Sequence, residues 1–303
     1  MKITFLGTSS GVPTNDRNVT SVVVQLGKRY CLFDCGESTQ NQLRLAGVSP
    51  QKIDTICISH LHGDHIYGLP GLLGSMSMMG RRRQLQVIGA KGIRDYIEQV
   101  LALSFTHLSY DIVYRELENL NDVTSVGSSG PYEIFAIGLV HRVPSFGFKV
   151  SAPDSTGEFD NALADQLGVP RDKSRAMLCQ GKSITLDNGK VVTSAEVIGE
   201  PRKGKSFAIC TDTSYSDNAI ALSANVDVLV HECTYAESER DLAIRGVHST
   251  SHDAAQVAKK ANVGHLVLTH FSPRYGHDEP ILVGTEPIFT NITMAVDFLS
   301  IEV

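Results

Sequence analysis

Between Ser59 and His65 the chain reads Ser-His-Leu-His-Gly-Asp-His, which places three histidines and an aspartate within six residues. Only 11 histidines occur among the 303 residues, so chance is a poor account of such a concentration. Imidazole nitrogens and carboxylate oxygens suit Zn²⁺, and His60 and His62, two apart on an extended chain, point to one side toward a single ion. Asp64 and His65 lie past the following turn, where they can serve a second ion. Metals about 3.5–4 Å apart are the core of two-metal hydrolytic centres. Such a centre needs more donors, preferably with a bridging carboxylate among them. Three later residues offer themselves, each closing an apolar run: His141 after Ile137–Val140, Asp212 after Phe207–Thr211, and His270 after Leu266–Thr269. A polar residue ending a buried strand is commonplace, so these three count only together with the first cluster. The candidate metal ligands are then His60, His62, Asp64, His65, His141, Asp212 and His270.

Delivering those side chains into one cleft requires rigid elements that end at the cleft. Ile3–Leu6, Ser21–Leu26 and Tyr30–Phe33 are β-branched and aromatic runs parted by turn residues such as Gly27-Lys28, which predicts strands and a hairpin. Leu43, Leu45 and Ala46 before Gly47 predict a short helix, and Ile53–Ile58 a buried strand leading into the histidine string. Strands are further expected at Leu85–Ile88, Tyr132–Val140, Phe207–Cys210, Val226–Val230 and Leu266–Leu268. Helices are expected at Ile93–Leu103 and from about Asp253 to Ala261. Strands and helices mixed through both halves favour a layered α/β architecture over a bundle or an all-β barrel. From about Ser151 to Pro201 the chain is rich in Asp, Gly, Lys, Ser and Pro, with one amphipathic stretch at Asn161–Leu167. A weakly periodic segment of that length predicts an inserted functional arm or mobile lid within a single 1–303 domain.

Lys and Arg number 27 against 33 Asp and Glu, a formal charge of −6, and hydrophobic residues make up 42%. This is the profile of an ordinary globular protein, and it excludes a wholly basic nucleic-acid-binding surface but not local basic patches. No apolar stretch reaches the ~18 residues of a membrane helix, and MKITFLGTSS lacks the form of a signal peptide. Cys31, Cys35, Cys57, Cys179, Cys210 and Cys233 form no C-x-x-C pair and are expected as buried reduced thiols of a cytoplasmic protein.

At this point the chain resembles the metallo-β-lactamase-fold hydrolases, and among them the tRNase Z family of tRNA 3′-processing endoribonucleases. The His-x-His-x-Asp-His string alone carries only the superfamily. Phe5–Pro13, Phe33–Glu37, Gly68–Leu73, Pro201–Gly204, Gly246–Thr250 and Thr269–Tyr275 resemble tRNase Z motifs in order along nearly the whole chain. The resemblance implies a four-layer αβ/βα sandwich with the site at one edge between the sheets. It implies two zinc ions per subunit, one on His60, His62 and His141, the other on Asp64, His65 and His270, with Asp212 bridging. Such cations lower the pKa of a shared water and stabilise charge on phosphoryl oxygens. Asp64 would orient that nucleophile. The products would be a tRNA with a 3′-hydroxyl and a trailer with a 5′-phosphate. His248 would give the leaving oxygen its proton, polarised by Glu232; the plainer reading of His248 is a residue near a helix N-cap made by Ser249 or Ser251. His107, His231, His252, His265 and His277 are expected to be structural or exposed.

A precursor tRNA is a polyanion, so contacts call for Lys and Arg. They cluster at Arg81–Arg83, in the arm at Arg171, Lys173, Arg175 and Lys182, and at Arg202, Lys203 and Lys205. In the family the arm grips the tRNA elbow and dimer partners lend it to each other, which implies a homodimer and makes Arg171, Lys173, Arg175, Arg202, Lys203 and Arg274 candidate RNA contacts. The arm here departs from the Gly-Pro-rich stretch of many relatives. Leu43, Leu45, Met76 and Met78 are candidate interface residues if they do not lie in the core. Three competing readings remain: a hydrolase of a small phosphodiester or sulfate ester, a tRNA-binding protein without turnover, and a diiron redox protein. The first has little use for the arm, the second none for a full donor set, and the third needs a cofactor domain that is not encoded.

Overall fold

The computed structural model describes residues 1–276 and 281–303, and His277 lies outside the described residues. In chain order the strands are β1 (Lys2–Gly7), β2 (Ser21–Leu26), β3 (Arg29–Phe33), β4 (Ile53–Ile58), β5 (Leu85–Ala90), β6 (Ile112–Leu117), β7 (Thr124–Ser129) and β8 (Tyr132–Leu139). There follow β9 (Ser145–Ser151), β10 (Ile184–Thr185), β11 (Val191–Val192), β12 (Ser206–Cys210), β13 (Val228–Glu232), β14 (His265–Thr269), β15 (Ile292–Met294) and β16 (Ser300–Glu302). Two seven-stranded sheets result, ordered β16-β1-β2-β3-β4-β5-β6 and β15-β14-β13-β12-β9-β8-β7. In each, a run of parallel strands (β3 to β6, β12 to β15) adjoins an antiparallel run.

Side-chain alternation along the strands builds the layers. Val22, Val24, Cys31, Phe33 and Cys57 of the first sheet meet Phe148, Phe207, Ile209, Val228 and Val230 of the second in one core. Phe33 lies 6.0 Å from Phe148 and 5.7 Å from Phe207 between ring centroids. The alternate residues Val23, Leu32, Ile56 and Ile58 pack outward on the helices Thr39–Leu45, Leu69–Met78 and Ile93–Leu103. On the far side Ala208, Cys210 and Leu229 pack against Asp217–Leu222 and Ser251–Lys260. The order helix, sheet, sheet, helix is the four-layer sandwich expected from the sequence.

Most expected elements lie within a residue or two of their predicted bounds, the margin over which the ends of helices and strands fray. The helix placed from Asp253 begins at Ser251, because Thr250 and Asp253 form a reciprocal capping box; the cap is therefore Thr250, not Ser249 or Ser251. Of the candidate interface residues, Leu43 and Met76 are in the core, while Leu45 and Met78 are exposed. Five cysteines are buried free thiols, but Cys179, the last residue of a short helix, is exposed.

Residues 152–204 form a compact unit of their own. It holds the helices Asn161–Gln166, Lys173–Cys179 and Ser194–Val197 and the β10–β11 hairpin around Ala164, Val169, Leu178, Ile184, Val192 and Val197. The sequence pointed to one helical stretch here; elements of two to seven residues are too brief to show a period.

Candidate metal centre

His60, His141, Asp212 and His270 lie at or just past strand ends, while Asp64 and His65 sit in the short helix Gly63–Ile66 that follows β4. β4 runs into Ser59 and His60, β8 toward His141, β12 toward Asp212 and β14 into His270, so the carboxyl ends of strands from both sheets face one cleft. The turn after β4 fits because Gly36 has no side chain: a Cβ there would lie 2.4 Å from the Asp64 carbonyl oxygen. Beside it the Cys35 N–H donates to the His65 carbonyl at 2.7 Å. Asp34, Asp212 and His270 have φ of 55°, 35° and 61°, left-handed values that cost about 1–3 kcal/mol for residues with side chains. The strained turns aim Asp212 and His270 into the cleft and Asp34 at the back of the His65 ring.

All seven donors converge, in two sets. His60 Nε2 is 2.9 Å from His62 Nδ1 and 3.6 Å from Asp212 Oδ2; His141 Nε2 is 3.4 Å from His62 Nδ1 and 3.7 Å from the same Asp212 oxygen. In the second set Asp64 Oδ2 lies 3.4 Å from His65 Nε2 and 3.6 Å from His270 Nε2. The other Asp212 oxygen, Oδ1, is 3.2 Å from His65 Nε2 and 3.0 Å from His270 Nε2. Metal–ligand bonds of ~2.0–2.1 Å in a tetrahedron put donors roughly 3.3–3.4 Å apart, which these spacings bracket. One carboxylate serves both sets, one oxygen each.

Hydrogen bonds on the far side of the rings fix which nitrogen faces inward. The Asp34 carboxylate can only accept, so His65 Nδ1–H donates to it at 2.8 Å and leaves the Nε2 lone pair for the cleft. Ser59 Oγ donates to Asp34 at 2.9 Å and so accepts from His60 Nδ1–H at 3.0 Å. Thr234 Oγ1 donates to Glu232 at 2.6 Å and accepts from His270 Nδ1–H at 2.9 Å. His141 Nδ1–H donates to the Val247 carbonyl at 3.0 Å. Lone pairs this close repel one another unless a cation lies among them. His65 Nε2, Asp212 Oδ1 and His270 Nε2 are buried without a hydrogen-bond partner, an expense that a cation would remove. The residues present fit a pair of divalent metals.

Asp212 is buried: enclosure acts to raise its pKa, but the surrounding histidines hold it well below the usual carboxylate range. Burial and the neighbouring His65 likewise push the His60 pKa down, below an ordinary imidazole. Asp34 entered the sequence reading only as part of a string. Its role is visible in the structure, where it accepts from the Ser59 backbone, Ser59 Oγ, His65 and Thr211 Oγ1.

His248 stands beside this set, with one donor atom within 4.8 Å of those of Asp212 and His270. Its Nδ1–H donates to Glu232 Oε1 at 2.8 Å. Burial opposes the imidazolium, yet the Glu232 charge outweighs it and pushes the pKa up to about 9. Glu232 is itself fully buried, accepting from the Thr213 and Thr234 backbone N–H groups at 2.7 and 3.1 Å. The pair can hold a proton poised toward the cleft.

The basic residues divide. Arg81 is buried, donating to the Arg83, Gln51 and Gln84 carbonyls, and Arg83 pairs with Asp54, so this run braces a loop. Within the arm Arg175 is committed to Asp165, Asn161 and the Val169 and Pro170 carbonyls, while Arg171 also meets Asp165. Arg202 meets Glu158 at 3.3 Å with both partners exposed. Lys173 and Lys203 are exposed. Arg274 donates to Glu239 at 2.6 Å and lies 5.5 Å over the Tyr235 ring, whose centroid is 6.2 Å from that of His248. Of the other histidines, His231 is buried and His265 donates to or accepts from Thr293 Oγ1 at 2.9 Å.

Comparison with known proteins gives a consistent result. Residues 1–144 match the model of a family described as anti-Pycsar protein Apyc1. The ribonuclease Z of Synechocystis is 40% identical over 310 residues, covering 100% of this chain and 94% of that protein. That of Gloeothece citriformis is 41% identical over 311 residues, covering 100% and 96%. Among solved structures the short form of human tRNase Z is 29% identical with a TM-score of 0.72, covering 100% of this chain and 99% of that one. A metallo-β-lactamase fold protein from Bacillus subtilis, 20% identical with a TM-score of 0.69 and coverage of 100% and 98%, shares the fold.

Proposed function

The chain belongs to the ribonuclease Z family, and from that premise we propose that it removes the 3′ trailer of precursor tRNA with two zinc ions per subunit, held on His60, His62 and His141, on Asp64, His65 and His270, and across Asp212. Membership makes the protein a hydrolytic endoribonuclease of tRNA 3′ processing, built on the metallo-β-lactamase fold. The observation that carries the metal reading is the convergence of seven donors around a shared, orphaned Asp212 carboxylate. Bound divalent cations supply a hydroxide nucleophile near neutral pH and neutralise charge on the phosphoryl oxygens.

The chain's own residues do the rest. Asp64 turns one oxygen toward His65 and His270, which leaves the other to accept the proton of an attacking water. His248, charged through Glu232, donates its proton to the departing ribose 3′ oxygen, so that the tRNA ends in a 3′-hydroxyl and the trailer in a 5′-phosphate. Arg274, held in place by Glu239, offers a fixed cation near the scissile phosphate. Arg171, Lys173, Arg202 and Lys203 carry contacts to the tRNA body, with Arg175 bracing the arm beneath them. The same reading makes the enzyme a cytoplasmic homodimer. Exposed Leu45, Met78 and Met79 support an interface, and among the described residues no helix is long and apolar enough to cross a membrane.

The deciding experiment is cleavage of a 3′-extended precursor tRNA by the purified protein beside Asp64→Ala, with product ends mapped and zinc measured. We expect one cut 3′ of the discriminator base, leaving a 3′-hydroxyl, and its loss in the variant. Zinc-loaded protein that leaves this RNA intact yet hydrolyses a small phosphodiester overturns the RNA substrate and keeps the metal centre.

A further inference from the structure

Arg17 is a buried cation without a part in the chemistry above. Its Nη1 donates to Thr8 Oγ1 and to the Ala295 carbonyl, both at 2.8 Å, and its guanidinium carbon lies 4.7 Å from the centroid of the Phe271 ring. Phe271 follows the ligand His270 directly. The Phe271 N–H donates to the Thr8 carbonyl and the Ser10 N–H to the Phe271 carbonyl, each at 2.9 Å, so Thr8–Ser10 and the His270 turn are stitched side by side. One residue on, the Gly11 N–H donates to Asp64 Oδ2 at 2.8 Å. That is the carboxylate oxygen that also faces His65 and His270.

Around Gly11 the chain closes only on itself, with Ser9 Oγ donating to the Val12 carbonyl at 2.7 Å and the Val12 N–H to the Ser10 carbonyl at 2.8 Å. Residues 11–16 are exposed, and no atom lies within 4 Å of the point where a Gly11 side chain would begin. At φ 70° its backbone takes a form that larger residues resist. Placement of this turn over Asp64 comes from the base of the loop, where Asp297 accepts from Thr8 and the Asn18 N–H and where Arg17 joins Thr8 to the Phe271 ring. A planar guanidinium can stack on an aromatic face while donating sideways in its own plane, which an ammonium cannot.

We propose that Arg17 is a positioning residue: stacked on Phe271, it locks the Thr8–Gly11 segment to the His270 turn, so that the Gly11 N–H fixes the Asp64 carboxylate toward the metal pair. The proposal rests on the reading of Asp64 as a metal ligand. It adds a backbone donor that selects which Asp64 oxygen points inward and leaves the other for the nucleophilic water.

The test uses the full-length protein with Arg17→Met, which keeps the length of the side chain, and Arg17→Lys, which keeps the charge. Three quantities are read: hydrogen exchange of the Gly11 amide, zinc affinity by competition with a chromophoric chelator, and kcat and KM on precursor tRNA. For Arg17→Met we expect faster Gly11 exchange, about tenfold weaker binding of one zinc, and a kcat lowered about tenfold at unchanged KM, the range for loss of a group that orients a ligand. Arg17→Lys should recover the melting temperature but not the Gly11 protection. A variant that melts lower while its Gly11 exchange, zinc affinity and kcat stay at wild-type values overturns the proposal and leaves Arg17 a structural residue. If Arg17→Met does not fold, Phe271→Leu, which removes only the aromatic face, is judged by the same readings. Exchange and zinc binding need no RNA, so a protein that shows both effects but cuts no precursor tRNA overturns the substrate reading alone.

Discussion

At the scale of single residues, the centre depends as much on what holds the imidazoles as on the imidazoles themselves. Asp34 holds two of them, His65 directly and His60 through Ser59 Oγ. An asparagine there keeps the shape but puts an amide N–H₂ where one carboxylate oxygen accepts, so either His65 or Ser59 loses its acceptor. His65 then spends part of its time in the tautomer whose Nε2 carries a proton. Asp34→Asn should therefore weaken zinc binding by about 10–100-fold with little change in secondary structure. Zinc retained after dialysis against graded chelator, beside far-ultraviolet circular dichroism, measures both; wild-type retention would remove Asp34 from the account. The seven candidate donors stood out in the sequence because histidine and aspartate are informative at, or a few residues past, the end of an apolar run. Asp34 did not, because its role arises from a left-handed turn and from partners 25, 31 and 177 residues away.

At the scale of elements, the strands that were plain in the sequence are those buried on both faces, such as β4 with Ile53, Thr55, Ile56, Cys57 and Ile58 all inside. β9, although buried, escaped notice because Gly147 and Lys149 interrupt its apolar run, and β6, β7, β15 and β16 did so for the opposite reason. Each is an edge strand, and Thr-Ser-Val-Gly-Ser-Ser, in β7, keeps few apolar residues to show an alternation. The arm was legible as a change of composition but not as a folded unit, because its core of six buried residues is spread over five short elements and one loop. Its ends are well placed for excision: Ser151 closes β9 directly opposite Ser206 of β12. Replacing residues 152–204 by a short glycine linker should leave the sandwich folded and the centre able to hydrolyse bis(p-nitrophenyl) phosphate at a rate within about threefold of wild type, since none of the seven donors is removed. Cleavage of precursor tRNA should fall by at least about tenfold through KM, as binding contacts rather than chemistry are lost. Equal losses on both substrates would show that the arm serves folding instead.

At the scale of the whole molecule, the proposed metal pair would join two halves. His60, His62, Asp64 and His65 follow β4 of the first sheet, whereas His141, Asp212 and His270 follow strands of the second. Each proposed metal takes donors from both sheets, so the pair closes one edge of the sandwich whose middle is held by Phe33, Phe148 and Phe207. Without cations that edge keeps the buried Asp212 and the half-buried Asp64 carboxylates among facing imidazole lone pairs, and His65 Nε2, Asp212 Oδ1 and His270 Nε2 have nothing to bond. Binding to the folded form alone stabilises it by RT ln(1 + [L]/Kd), about 2.7 kcal/mol for each site at a hundredfold excess over Kd. At roughly 2–4 °C per kcal/mol for a chain of this order of size, two sites together correspond to a rise of about 10–20 °C. Chelation should lower the melting temperature by that amount, and added zinc should restore it in two steps as the sites fill. The inter-sheet core does not depend on the metals, so the stripped protein should still unfold cooperatively. Calorimetry of stripped and reloaded protein measures the shift, and an unchanged melting temperature would mean that the ligands are preorganised by the sheets alone.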